Sequence, residues 1–253
     1  MVAAGRGLGW YVCGWSLFQA QPLVWLGWLL LLAAFLFLTQ VVPLVGGALY
    51  TFLSPALTAG VYYGARQQAR GGGPELGQLF QGFRDPRRRG PLLVLGGLYL
   101  GLSLVVFFLL LFAVSGMVLS VISPAELEAL EAGRMDPREI LDRLRFTPPV
   151  VVGVLVSLTL LTVVLMAMWF APILVMLGGR EPLAALLESF RAWLRNWLPL
   201  SLFGLVFLPL AFLAALPFGL GLLILMPVAM AAVYCSYDEI FGDGPAPAGA
   251  LHA

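Results

Sequence analysis

Long apolar runs alternate along the chain with short polar segments, and six of the runs are helix-sized. Membrane spans are expected near residues 23–42, 44–65, 92–121, 150–177, 197–215 and 218–234. A helix needs roughly 20 residues to cross the hydrocarbon core. The first, second, fifth and sixth runs fit that length. The third and fourth exceed it and are expected to tilt or to project beyond the bilayer. Residues 40–47 form an almost uncharged turn between the first two runs, and Pro217 separates the last two. Each of these pairs reads as a tight hairpin.

The polar segments carry helical periods of their own. Trp10, Cys13, Leu17 and Phe18, with Trp15 beside them, predict a short helix at the membrane surface that Pro22 ends. Leu76, Leu79, Phe80 and Phe83 fall on one helical face. So do Leu183, Leu186, Leu187, Phe190, Leu194 and Trp197. Gly71-Gly72-Gly73-Pro74 reads as a flexible joint. Between the third and fourth runs, Ser123-Pro124-x-Glu126 and Asp136-Pro137-x-Glu139 are N-cap signatures with proline at the first helical position. They predict helices at 124–131 and 137–144, either as caps on the long spans or as a solvated hairpin. Residues 1–9 are glycine-rich and read as loose. Gly5, Gly7 and Gly9 follow no strand, so they do not make a nucleotide loop.

These parts align as a threefold repeat of surface helix plus hairpin, over about 10–66, 75–180 and 182–241. The outer helical loop 123–147 enlarges the middle copy, and residues 242–253 are a flexible tail. Residues 1–241 then form a single all-α integral membrane domain, a six-span transmembrane helical bundle with interfacial helices. Phe83-Arg84 matches Phe190-Arg191. The second span of each hairpin holds a proline, Pro55, Pro172 or Pro227, and the outer turns hold Pro43, Pro149 and Pro217. Prolines inside spans kink the helix. The three kinks either outline a central cavity or shape the packing, and packing is the preferred reading. Gly60-x-x-x-Gly64, its echo Ala232-x-x-x-Ser236, and Gly97-x-x-x-Gly101 are candidate faces for close helix approach.

Composition agrees. The chain is 61% hydrophobic and 11% charged, with mean hydropathy +0.97, and a soluble fold would lack the charges to cover its surface. The net charge of +1 gives no global pull towards nucleic acid. All fourteen basic residues are arginine, a bias that reads as GC-rich, bacterial coding. Ten of them (Arg6, Arg66, Arg70, Arg84, Arg87, Arg88, Arg89, Arg180, Arg191 and Arg195) fall on one side of the proposed topology and four on the other. The positive-inside rule then places both termini in the cytoplasm, which six spans require. The first apolar run is long for a signal peptide and lacks a nearby cleavage site, so it is taken as a span. Arg87, Arg88 and Arg89 are either a topology signal or a contact for anionic lipid headgroups, or both. Cys13 and Cys235 lie at opposite ends of the chain without metal-type spacing. They are expected to be two free thiols in preference to a disulfide or a metal pair.

No proposed span has an Asp, Glu, Lys, Arg or His in its interior, which speaks against a proton-coupled carrier. Span hydroxyls such as Thr51, Ser54, Thr58, Ser157, Thr159 and Thr162 are expected to bond to the preceding helical turn. The sole histidine, His252, lies in the tail. Glu126, Glu128 and Glu131 read as a solvated face before a divalent-ion site. No catalytic, cofactor or metal residues are therefore assigned. The blocks GWSLFQAQPLVW, PLVGG, LSPALTAG, LGQLFQGFR and PVAMAAVYCSYDEIF resemble a group of uncharacterised proteobacterial inner-membrane proteins. The layout is similar to YciC-type proteins and to the membrane domain of some glycerophosphodiesterases. The resemblance implies a six-span helical protein with no assigned reaction. The first expectation is a non-enzymatic inner-membrane protein that organises lipid or partner proteins, a homo-oligomer included. The alternative is a transporter or channel for an uncharged or lipid-like solute.

Overall fold

Backbone in lipid must satisfy its own hydrogen bonds, and every regular element among the described residues is helical. The computed structural model describes residues 2–3, 5–42, 45–119, 122–134, 136 and 148–242. The second loop helix expected at 137–144, Pro43, and the tail beyond Gly242 with His252 lie outside them. In chain order the helices are α1 (Arg6–Ala20), α2 (Pro22–Gln40), α3 (Val45–Ala69), the 3-10 helix η1 (Leu76–Phe80), α4 (Gln81–Arg84), α5 (Arg89–Leu119), α6 (Pro124–Glu131), α7 (Pro148–Met176), α8 (Pro182–Arg195), α9 (Trp197–Ala215) and α10 (Leu222–Phe241).

Among the described residues, five helices are long and apolar enough to cross a membrane: α2, α5, α7, α9 and α10. The expected second span, α3, is not one of them. Its 25 residues include Thr51, Ser54, Thr58, Tyr62, Tyr63 and a terminal Arg66-Gln67-Gln68. Its middle is enclosed, with Pro55, Ala56, Leu57, Ala59, Gly60, Val61, Gly64 and Ala65 buried, while Val45 and Leu49 near its start are exposed. The polar positions keep its hydropathy below that of the five candidate spans. The last span starts at Leu222 instead of Phe218. Pro217, Phe218 (φ 53) and Gly219 (φ 78) form the turn before it. It then continues to Phe241, carrying Asp238 and Glu239.

The chain divides into two units. The first comprises 1–99 and 166–253, and the second 100–165. In the first, α1, α2, α3, η1, the start of α5, the end of α7, α8, α9 and α10 share one core. Trp10, Trp25, Trp28, Val61, Leu79, Phe170, Ile173 and Ala231 are among its fully enclosed side chains. In the second unit, the facing parts of α5 and α7 bury Val106, Ala113, Val150, Ser157 and Val164, with Gly153 against Ala113. Their other faces expose Phe107, Phe108, Phe112, Val152, Leu155 and Leu158. Apolar exposure of this kind suits helices whose neighbours are lipid tails. Within the same unit α6 forms as the sequence predicts. The Ser123 N–H and hydroxyl both donate to Glu126 Oε2 at 2.9 Å, a capping box.

Candidate functional site: helix seams and an apolar cavity

The expected surface helix forms as α1, and its inner face is Gly7, Trp10, Gly14, Leu17 and Phe18. This face lies across α10. A Cβ on Gly14 would stand 2.7 Å from the Ala232 nitrogen and against the Val228 carbonyl. The small-residue face of α10, with Ala232 and Ser236 buried, therefore receives α1. The Arg6 Nε and the Trp10 Nε1 donate to the two oxygens of Glu239, each at 2.7 Å. The Tyr11 hydroxyl donates to the Phe203 carbonyl at 2.9 Å, and burial pushes its pKa up to about 12.

The cysteines correct an expectation. Cys13 and Cys235 are joined as a disulfide with Cα atoms 6.4 Å apart, and no free cysteine remains among the described residues. The two positions are 222 residues apart in sequence, so spacing carried no hint of the pairing. The contact of α1 with α10 brings them together.

Gly60 and Gly64 also sit at close approaches, Gly60 against η1 and Gly64 against both α2 and η1. Gly60 lies under the backbone carbonyls of Gln78 and Leu79, and Gly64 under the Trp28 ring and the Gln78 side chain. Gly82 of α4 rests on the Ala56 carbonyl. The segment η1–α4 thus runs along α3 from Gly64 towards Ala56. It is a 3-10 turn and a single helical turn, and Leu79 is buried while Leu76 and Phe80 are exposed, so the four apolar residues do not share one inner face. The Trp28 Nε1 donates to the Glu75 and Leu76 carbonyls at 3.3 Å. Gln68 links two layers: Trp25 Nε1 donates to its Oε1 at 2.9 Å, and its Nε2 donates to the Leu17 carbonyl at 2.7 Å. On α5 the close approach falls at Gly96, against the Phe52 carbonyl. A Cβ on Gly97 would meet only Phe52 at 3.8 Å, and one on Gly101 would meet nothing.

Pro55, Pro172 and Pro227 are each inside a helix and each buried. Pro209, inside α9 and exposed, is a fourth interior proline, so the feature is not confined to second spans. Near Pro172 the Ser189 hydroxyl of α8 donates to the Met166 carbonyl at 2.8 Å and accepts from the Phe170 N–H at 3.0 Å. Ser189, Ala185 and Ala192 form the buried face of α8, and Leu183, Leu187 and Leu194 are exposed. The span hydroxyls of Thr51, Ser54, Thr58, Ser157, Thr159 and Thr162 all donate to carbonyls three or four residues back.

A cavity of about 330 Å³ lies between α2, α3 and η1–α4. Its walls are Leu31, Leu32, Ala34, Phe35, Leu38, Leu53, Leu57, Leu79, Phe80 and Phe83, all apolar. None of the three prolines lines it. Of the arginine triplet, Arg87 and Arg89 are exposed. Arg88 folds back, its guanidinium lying over Gly179. Gly179 takes φ +66 where α7 closes through the Arg180 N–H to the Leu174 carbonyl, a helix end that glycine favours. Arg66 donates to the Leu177 carbonyl at 3.3 Å at the same end.

A curated protein of Burkholderia thailandensis, described as a probable inner membrane protein, is 28% identical to this chain over 251 residues. The match covers 93% of this chain and 89% of the relative. No family model and no solved structure matches the chain. The similarity to the relative runs nearly end to end, and the relative's description gives a location without a reaction. Among the described residues there is no cluster of three or more His, Cys, Asp or Glu placed to hold a metal.

Proposed function

We propose that the protein is a six-span bacterial inner-membrane protein, with both termini in the cytoplasm, that organises lipid or partner proteins and catalyses no reaction. α3 is the sixth span, enclosed by the other helices. The single observation that carries the reading is the way the interfacial helices dock. η1–α4 lies on α3, α8 bonds to α7 through Ser189, and α1 lies on α10. Each surface segment rests on the proline-bearing second span of the preceding hairpin, and the first rests on that of the last. This cyclic order supports three parallel repeats about an axis along the membrane normal. The outward faces of the docked helices are apolar: Leu8, Val12 and Trp15 on α1, and Leu183, Leu187 and Leu194 on α8. They suit anchoring in the interface, where aromatic and aliphatic side chains meet headgroups. The relative's description as a probable inner membrane protein supports the location, and the layout still resembles that of YciC-type proteins. Partners are membrane lipid and another protein, a second copy included.

A carrier for a lipid-like solute is the second reading, and the apolar cavity is the observation that favours it. Purification from native membrane with lipid and protein mass spectrometry separates the two. A reproducibly enriched lipid or protein supports the organising role. Passage of an uncharged or lipid-like solute through liposomes containing only this protein overturns it.

A further inference from the structure

We infer that the cavity between α2, α3 and η1–α4 holds one acyl chain of an anionic phospholipid whose headgroup lies on the arginines following Phe83. This deepens the proposed function and rests on its membrane placement. The cavity walls offer no polar group, so the space does not suit water, which needs polar partners. At roughly 30 Å³ per water-sized group it has room for about ten such groups, a methylene being of similar size. An empty space of that size would forfeit the dispersion contacts of its walls. Leu57 and Leu79 form a buried floor, and Leu31, Leu38 and Phe80 are exposed at the rim. A chain can therefore enter sideways from the bilayer.

Charge selects the headgroup. The wall segment continues from Phe83 into Arg84, Asp85, Arg87, Arg88 and Arg89. Arg84, Arg87 and Arg89 are exposed. Asp85 is occupied as an acceptor for the Arg87 backbone N–H at 2.9 Å. Among the described residues, no carboxylate forms an ion pair with Arg84, Arg87 or Arg89. Arg84 donates to the Gly77 carbonyl at 3.4 Å, and the exposed Arg87 and Arg89, a few residues along the chain from the wall residue Phe83, suit an anionic phosphate with an attached chain.

The test uses the full-length protein in vesicles containing phosphatidylglycerol with a photoactivatable group in its acyl chain. Crosslinks are expected in peptides holding Leu31–Leu38 and Leu79–Phe83, and equivalent phosphatidylcholine should label them less. Ala34→Phe, at an exposed wall position, should reduce this labelling about tenfold, equivalent to the burial of about two methylenes. Arg87→Gln with Arg89→Gln should narrow the preference for phosphatidylglycerol by about fivefold per arginine. Labelling spread evenly over the lipid-facing leucines of α2 and α9, or unchanged by Ala34→Phe in protein that melts like wild type, would overturn the chain site. Equal labelling by the two lipids would overturn the headgroup assignment. Reporter fusions at the two termini read the membrane placement separately, so failure of the site and failure of the topology are distinguishable.

Discussion

Two glycines in identical sequence motifs should respond to alanine in opposite directions. A Cβ on Gly60 would stand 2.6 Å from the Gln78 carbonyl oxygen and closer still to that of Leu79. Both obstacles are backbone, so no rotamer change relieves them. Overpacking costs about 1–3 kcal/mol, and rigid walls put Gly60→Ala near the upper end, at about 3 kcal/mol. Gly101, the second glycine of the other motif, has open space where a Cβ would stand. There alanine removes a helix-interior glycine and should stabilise by up to about 1 kcal/mol. For a chain of this size each kcal/mol moves Tm by about 2–4 °C. Gly60→Ala should therefore melt about 6–12 °C below wild type, and Gly101→Ala at or slightly above it. The assay is thermal unfolding in detergent, followed by tryptophan fluorescence. Trp28, against Gly64 in the same seam, contributes to this signal along with the chain's six other tryptophans. If Gly60→Ala melts with wild type while Gly101→Ala falls, the docking of η1 on α3 is wrong.

Three further perturbations probe other parts of the fold. In protein isolated under oxidising conditions, Cys13 and Cys235 should resist maleimide until reduced, and Cys13→Ser/Cys235→Ser should lose about 2–4 kcal/mol; immediate labelling of such unreduced protein would contradict the pairing. Gln68→Ala strands the buried Trp25 indole N–H and should cost about 1–3 kcal/mol, read by chemical denaturation in micelles; an unchanged midpoint would mean the bridge to Leu17 is not structural. Ser189→Ala should cost about 1 kcal/mol, whereas Ser16→Ala, on the exposed side of α1, should cost nothing measurable; equal effects would remove α8 from its place on α7.

The apolar runs made the lipid-facing helices legible because lipid demands continuous apolar surface. The cap at Ser123–Glu126 was legible because its hydrogen bonds are local. Glycine spacing located the α3 seam without revealing its partner, since a GxxxG face accepts any backbone that fits. It also pointed to Gly97 and Gly101 where the contact is Gly96, one residue around the helix. The Cys13–Cys235 pair and the Trp25–Gln68–Leu17 bridge join distant positions and leave no periodic trace. The cavity was equally hidden, because its ten apolar walls look like ordinary core and lipid-facing residues in sequence. α3 shows the reverse problem: its polar positions lower its hydropathy although its middle, from Pro55 to Ala65, is largely buried.

Whether α3 crosses the membrane decides between six spans and five. Paired reporters active in the cytoplasm or the periplasm, fused at the N-terminus and after Gly242, read this directly. Six spans predict a cytoplasmic signal from both ends, with a periplasmic signal from an insertion near Glu128. Reporters on opposite sides would mean an odd number of crossings and would contradict the account of α3 as an enclosed span.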